Sequence, residues 1–541
     1  MGSAFRLLTI LLVGCLAAKL GYLYRHAKNA SEIPSSPPAF GCPKLDEAAA
    51  LGRFRRLITF PTVSNVSAPD HVANPQAFHD LLAALEESYP RVWQQLNVEA
   101  VGSGGLSRLI TWAGSDPALP PILFVSHLDV VPVTPGTEDE WTHPPWSGAL
   151  AGGFVWGRGS LDTKFSAAAL LEAAEGALAA GWAPERTIML AFGHDEEVGG
   201  ALGAGAIAQL LRSRGVELEV VVDEGGVVLM DGLRPFSSGP VALVGTAEKG
   251  YVNLEVVVRS PGGHSAMPPI DGSSVASQLG RLLTALALLP APSRLAAPVT
   301  DMLGALAPAA PAWMRLLLAN CEQERSWLVN RLLAFAFRRL LSGETAAMVG
   351  DSLALTMLQS GVAYNVLPQE ARLNFNVRLL PGSSPEAMLA HLRSAAGWAG
   401  VDAEVTAVKG MGWSASNVTS AQGPHFRALR RVIQETWRQE GKPPVLVVPF
   451  LLTGATDSRH YAALSRGGVL RFVPFGVNKA AGELGLLHAT NERVRAQHFA
   501  AAVCAYTRAF QLMAGPPAPV AAGDAGVGVA GAAGAAGEGS A

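Results

Sequence analysis

Pro121-Ile-Leu-Phe-Val-Ser-His127-Leu-Asp129 is a short apolar run that stops at an imidazole and a carboxylate. Two later stretches have the same form. Thr187-Ile-Met-Leu-Ala-Phe192 leads into Gly193-His-Asp-Glu-Glu197, and Leu218-Glu-Val-Val-Val222 leads into Asp223-Glu-Gly-Gly226. Runs this short, bounded by turn residues, predict buried strands. Residues 166–180 read as a helix between the first two, and 202–215 as a helix before the third. Strands alternating with helices predict an α/β domain with a parallel sheet, and such sheets bind ligands just past the carboxyl ends of their strands. All three runs place their polar residues there.

Working outward, the pattern changes at Tyr251. Val252-Asn-Leu-Glu-Val-Val-Val-Arg259 alternates like a half-exposed strand, and residues 274–289 follow as a helix. Strands are expected at 353–358, 371–379 and 402–408, with a helix at 385–396. This is the pattern of a smaller α+β domain inserted into the first. The expected division is 45–246 and 413–514 for the α/β domain and 247–412 for the insertion, with amphipathic helices near 300–345 counted within it. From Trp413 the α/β character returns, with strands at 445–450 and 469–474 and a final helix at 494–512. Residues 25–44 form a Pro-rich linker, and the Gly/Ala-rich stretch 515–541 has too few large apolar residues to build a core.

Across 541 residues, 49% are hydrophobic and 16% charged, which excludes bulk disorder. Lys+Arg number 41 against Asp+Glu 44, with no basic block, so no nucleic-acid partner is expected. The apolar run that begins at Leu7 has the length of a signal-peptide core, yet Lys19, Arg25 and Lys28 follow it. Residues 1–24 are therefore a cleaved signal or a membrane anchor, and either sends the chain into the secretory pathway. The sequons at Asn29, Asn65 and Asn417 suit that route. Of Cys15, Cys42, Cys321 and Cys504, three lie beyond the leader, an odd number that points to no disulfide framework.

The chemistry gathers in five elements. In extended chain, His127 and Asp129 point the same way, so an imidazole that binds a metal through one nitrogen can be oriented by a carboxylate at the other. Gly157-Arg-Gly-Ser-Leu-Asp162-Thr-Lys164 stands directly before a helix; Glu196 and Glu197 fall in the loop after the second strand. Asp223 ends the third strand, and Leu486-Leu-His488-Ala-Thr-Asn-Glu492 precedes the last helix. Singly, these are a strand end, a capping turn and a solvated acidic loop. Together they bring imidazoles and carboxylates to one sheet edge, which suits a two-metal centre with a bridging carboxylate. With no cysteine in the set, Zn²⁺, Mn²⁺ and Co²⁺ are all admissible. A remaining glutamate is then available as general base.

These five elements, in this order, resemble the M20 family of co-catalytic zinc amidohydrolases and peptidases over about residues 45–514. The phrases Ser126-His-Leu-Asp-Val-Val-Pro132, Pro144-Pro-Trp-Ser-Gly148, Gly193-His-Asp-Glu-Glu197, Gly263-His-Ser265, Asn365-Val-Leu-Pro368 and Thr456-Asp-Ser-Arg459 are most similar to its secreted N-fatty-acyl-amino acid synthase/hydrolases and carboxypeptidase S relatives. The resemblance implies a zinc-peptidase-like α/β catalytic domain with a smaller α+β lid, and two Zn²⁺ per subunit. It implies His127, Asp162, Glu197, Asp223 and His488 as metal ligands with Asp162 bridging, Asp129 orienting His127, and Glu196 as general base. In the lid it implies His264 as oxyanion stabiliser and Asn365 and Arg378 as substrate-positioning residues. The implied partners are small molecules, with a homodimer through the lid as in dimeric members. The expected reaction is hydrolysis of N-fatty-acyl amino acids and the reverse condensation; a metallo-exopeptidase and a catalytically inactive acyl-ligand carrier are the alternatives.

Overall fold

The computed structural model describes residues 41–515 apart from 235, 319–326, 341–342 and 439–443. The leader, most of the linker, Cys15, Cys321, Asn29 and the Gly/Ala-rich tail lie outside the described residues. No helix among the described residues is long and apolar enough to cross a membrane.

A ten-stranded mixed sheet forms the larger body. Its central strands are Ile188–Gly193, Ile122–His127, Val220–Asp223 and Val469–Arg471, each parallel to its neighbour. Every residue of these strands is buried, which is why each opens as a continuous apolar run rather than an alternating one, with polar residues only toward the carboxyl end. Ser107–Trp112 and Asn97–Val101 extend one side antiparallel. Helix Lys164–Ala179 connects the first two central strands and is buried on nearly all sides, because Gln497–Ala514 packs over it. Its run of alanines permits that close approach. Phe54, Phe165 and Phe499 stack edge-on and face-on at the centre of this core.

The smaller sheet is antiparallel, in the order Ser352–Ser360, Glu370–Leu379, Gly250–Arg259, Ala403–Trp413. Glu370–Leu379 alternates strictly between half-buried and buried residues. Leu373, Phe375, Val377 and Leu379 pack beneath helices Val275–Leu288 and Pro385–Trp398. The sheets join where Val241–Glu248 passes through Lys249 into Gly250–Arg259. Gly250 lies so close to the returning chain that an added Cβ would sit 2.5 Å from the Ala415 nitrogen.

The helices of the 300–345 region were expected inside the lid. Leu303 and Leu306, with Val299 just before them, share a core with Val241, Ala247, Val448 and Leu451 of the large sheet and with Leu380 just past the end of the smaller sheet's strand Glu370–Leu379. Strands Val241–Glu248 and Leu446–Leu452 have an apolar face that must be covered, and helix Ala297–Leu306 covers it. Lys249 Nζ also donates to the carbonyls of Ala347 and Gly350, fastening the addition to the junction. The cysteines, too, are informative: Cys42 and Cys504 form a disulfide across 462 residues, Cα–Cα 5.3 Å.

Candidate metal centre

Register explains why the donors converge. His127 is paired with Gly193 across parallel strands, so the loops after both strands open at one level. His127 is buried, and its Nδ1 donates to the Asp129 carbonyl at 3.0 Å, with Asp129 Oδ1 at 3.3 Å. That leaves Nε2 facing outward, toward the carboxylates of the neighbouring loops. Nε2 lies 3.1 Å from Asp162 Oδ1 and 3.5 Å from Glu224 Oε1. Asp162 Oδ2 is 3.0 Å from His488 Nε2, which is itself 3.2 Å from Glu197 Oε2. Two donor groups result: His127, Asp162 and Glu224, and Asp162, Glu197 and His488, each with its ligand atoms within 4.8 Å of one another. Asp162 belongs to both, one oxygen to each.

Asp129 does more than orient His127. Its Oδ1 accepts the amide of Glu196 and its Oδ2 the amide of Glu197, both at 3.1 Å. One carboxylate therefore fixes an imidazole from the first strand end and the acidic turn from the second. Asp195, just before that pair in sequence, accepts from the amides of Leu202 and Gly203 and bonds His71 at 2.8 Å.

Asp223 is not in either donor group, and here the structure departs from the sequence reading. Its Oδ1 accepts the amide of Glu224 at 2.8 Å and its Oδ2 that of Ser458 at 2.7 Å. Both oxygens are turned into the backbone. Neighbouring side chains at a strand end point opposite ways, so the next residue, Glu224, faces His127. The acidic pair Asp223-Glu224 carried that choice, and alternation alone did not say which member faces the centre.

The electrostatics describe a site crowded with negative charge. Burial, reinforced by the Asp162 charge, pushes Glu224 up to about 8 and Glu197 up to about 6. Burial also lifts Glu196 well above the ordinary carboxylate range, with Glu224, Asp457 and Glu197 adding to it. Hydrogen bonds to Asp162 and Glu197 push His488 up to about 10. Asp162 is held low against its burial by bonds from both histidines. Carboxylates crowded and buried beside imidazoles in this way are the electrostatic setting that favours a divalent cation. The buried Glu197 Oε1, which has no hydrogen-bond partner, fits the same account. Nitrogen and carboxylate donors without thiolate suit borderline to hard divalent ions.

The lid residues stand apart. His264, in the short strand Gly263–His264, pairs with Val366 and is exposed, and the Asn365 carbonyl accepts from Ser265 at 3.1 Å. Arg378 lies with its guanidinium 4.9 Å from the centre of the Tyr251 ring. Among the described residues, none of the three is hydrogen-bonded or ion-paired to the candidate donors. Tyr251 stacks on Trp413 at 4.6 Å, and Arg459 covers Trp413 at 4.4 Å while donating to the Gly199 carbonyl. A cavity of about 860 Å³ between the turn at Gly199 and the strand end at Trp413 is lined by Arg459, Ser414 and Ser416.

An α/β sheet edge with two nitrogen–carboxylate donor groups sharing one aspartate defines a metal-dependent hydrolase site. The family profile of Peptidase family M20/M25/M40 matches residues 123–512, and the chain belongs to that family. Among curated relatives, the chain is 33% identical to the zebrafish (Danio rerio) N-fatty-acyl-amino acid synthase/hydrolase PM20D1.1, covering 86% of this chain and 85% of the relative. It is 30% identical to the probable carboxypeptidase S-like 2 of Dictyostelium discoideum, over 83% and 82%. The M20 family metallo-carboxypeptidase Sso-CP2 from Sulfolobus solfataricus shares the fold, with TM-score 0.58, 16% identity and coverage of 87% and 99%.

Proposed function

We propose that the chain is a secreted dizinc hydrolase of N-fatty-acyl amino acids that also runs the reverse condensation. The observation that carries the metal part is Asp162, whose two oxygens each face a separate donor group. His127 and Glu224 would hold one zinc and Glu197 and His488 the other, with Asp162 between them. Bound there, zinc supplies Lewis-acid polarisation of the amide carbonyl and eases deprotonation of water.

The chain's own residues do the rest. Glu196 takes the proton from the attacking water and passes it to the leaving nitrogen, for which a carboxyl held above its ordinary range is suited. Asp129 fixes the Glu196 amide and so the direction of the base. Arg378 binds the carboxylate of the amino-acid head group, and His264 and Asn365 meet the substrate when the lid closes. A catalyst speeds both directions, so net condensation depends on the concentrations of acid and amine.

The acyl-amino-acid substrate is supported by the similarity to synthase/hydrolases over most of the chain. Similarity of nearly the same extent to carboxypeptidase S-like proteins favours a second reading, a metallo-exopeptidase acting on short peptides. Secretion is supported by the Cys42–Cys504 disulfide, since such bonds persist in oxidising compartments. Asn65 and Asn417 are exposed, as glycan acceptors need to be. The deciding assay compares a long-chain N-acyl-phenylalanine with a free dipeptide, each with and without chelator. Chelator-sensitive cleavage of the acyl amino acid is expected; cleavage of the dipeptide alone overturns the substrate and installs the exopeptidase.

A further inference from the structure

Arg158 and Glu492 are 334 residues apart in sequence and meet with Nη1 2.6 Å from Oε2. Their side chains are 3% and 0% exposed. Each then reaches the backbone of a different donor loop. Glu492 Oε1 accepts the amides of Leu161 at 2.7 Å and Asp162 at 3.3 Å, and Oε2 accepts that of Gly159 at 3.1 Å. Arg158 Nη2 donates to the His488 carbonyl at 3.2 Å and Nη1 to that of Ala489 at 3.4 Å. The loop curls tightly to do this: Gly159 has φ +83, and a Cβ there would sit 2.6 Å from Val130 Cγ1.

A buried ion pair is a weak source of stability, because desolvation cancels most of its attraction, and an apolar pair of equal volume often serves as well. What an apolar pair cannot do is satisfy three amides on one loop and two carbonyls on another. We propose that Arg158 and Glu492 are a positioning pair. They hold the loop of the shared carboxylate Asp162 and the loop of His488 in mutual register, and so set the affinity of the donor group Asp162–Glu197–His488 for its cation. The proposal rests on the metal reading of that group and adds to it two residues that touch neither metal nor substrate.

The test is zinc titration of the chelator-stripped full chain, disulfide intact, against a chromophoric competitor. Glu492→Gln keeps the volume but loses the charge and half the acceptors, and Arg158→Lys keeps the charge but loses the fork. Each is expected to weaken zinc binding roughly 10–100-fold, the range found for outer-shell partners of metal ligands. A folded variant with unchanged zinc affinity overturns the pair's role. Should both variants fail to fold, hydrogen exchange on the wild-type chain decides. The Gly159 and Leu161 amides are expected to be protected in the metal-free protein, because Glu492 and not zinc holds them. Rapid exchange of both without metal overturns the proposal. Zinc binding by neither wild type nor variant overturns the metal reading, and the proposal with it.

Discussion

The metal donors and the lid residues differ in how they are held. His127, Asp162 and Glu197 are largely enclosed, and Asp129 bonds the turn that carries Glu197. His264 and Asn365 are exposed on a two-strand ladder of their own, and Arg378 rests against one aromatic ring. A metal centre gains from being rigid before the ion arrives, since loosely held ligands bind it weakly. The residues proposed to grip a substrate gain from being left free until it arrives, and a separate domain provides that freedom.

Glu196→Gln is the sharpest probe of this contrast. Turnover should fall roughly 10²–10⁴-fold with both metals retained, as for loss of a general base; an active variant would move the base elsewhere. Next in size, Glu224→Gln should lower metal content by elemental analysis far more than Asp223→Asn, and equal losses would erase the distinction drawn between those neighbours. Arg378→Ala should raise KM roughly 10-fold or more while leaving metal stoichiometry at the wild-type value, because it removes a charge-assisted bond to substrate alone. Loss of metal there would show that lid and centre are one unit.

Two smaller effects belong to the catalytic body. Cys504→Ser should cost about 2–4 kcal/mol in denaturant unfolding. His498 accepts a hydrogen bond from the Gly476 amide at 3.2 Å, and burial pushes it down to about 4. Its folded pKa is below the unfolded value of about 6.5, so the unfolded chain binds the extra proton. The stability it contributes is complete above about 6.5 and is lost as pH falls toward 4. The urea midpoint should drop over that window, and less steeply in His498→Gln.

Much of this was legible in the chain, for reasons tied to particular residues. Strands buried on both faces write themselves as apolar runs, so Ile122–His127, Ile188–Gly193 and Val220–Asp223 stood out. Their parallel arrangement then brought His127 and Glu197 to one edge. Three features escaped because they depend on contacts between segments far apart in the chain. Val299 and Leu306 are apolar whichever sheet they cover. Cys42 and Cys504 have no spacing that marks them as partners. The choice of Glu224 over Asp223 turns on one Ser458 amide, 235 residues away, that occupies the aspartate.

The Cys42–Cys504 bond makes the folded body a covalent ring. A protease that cuts once in an exposed stretch, such as the one carrying Val362 and Tyr364, opens the ring but releases nothing. On a non-reducing gel the nicked molecule keeps its full mass, and reductant separates it into two. Wherever thiols are scarce, such a molecule keeps both halves of its candidate metal centre after the first cut.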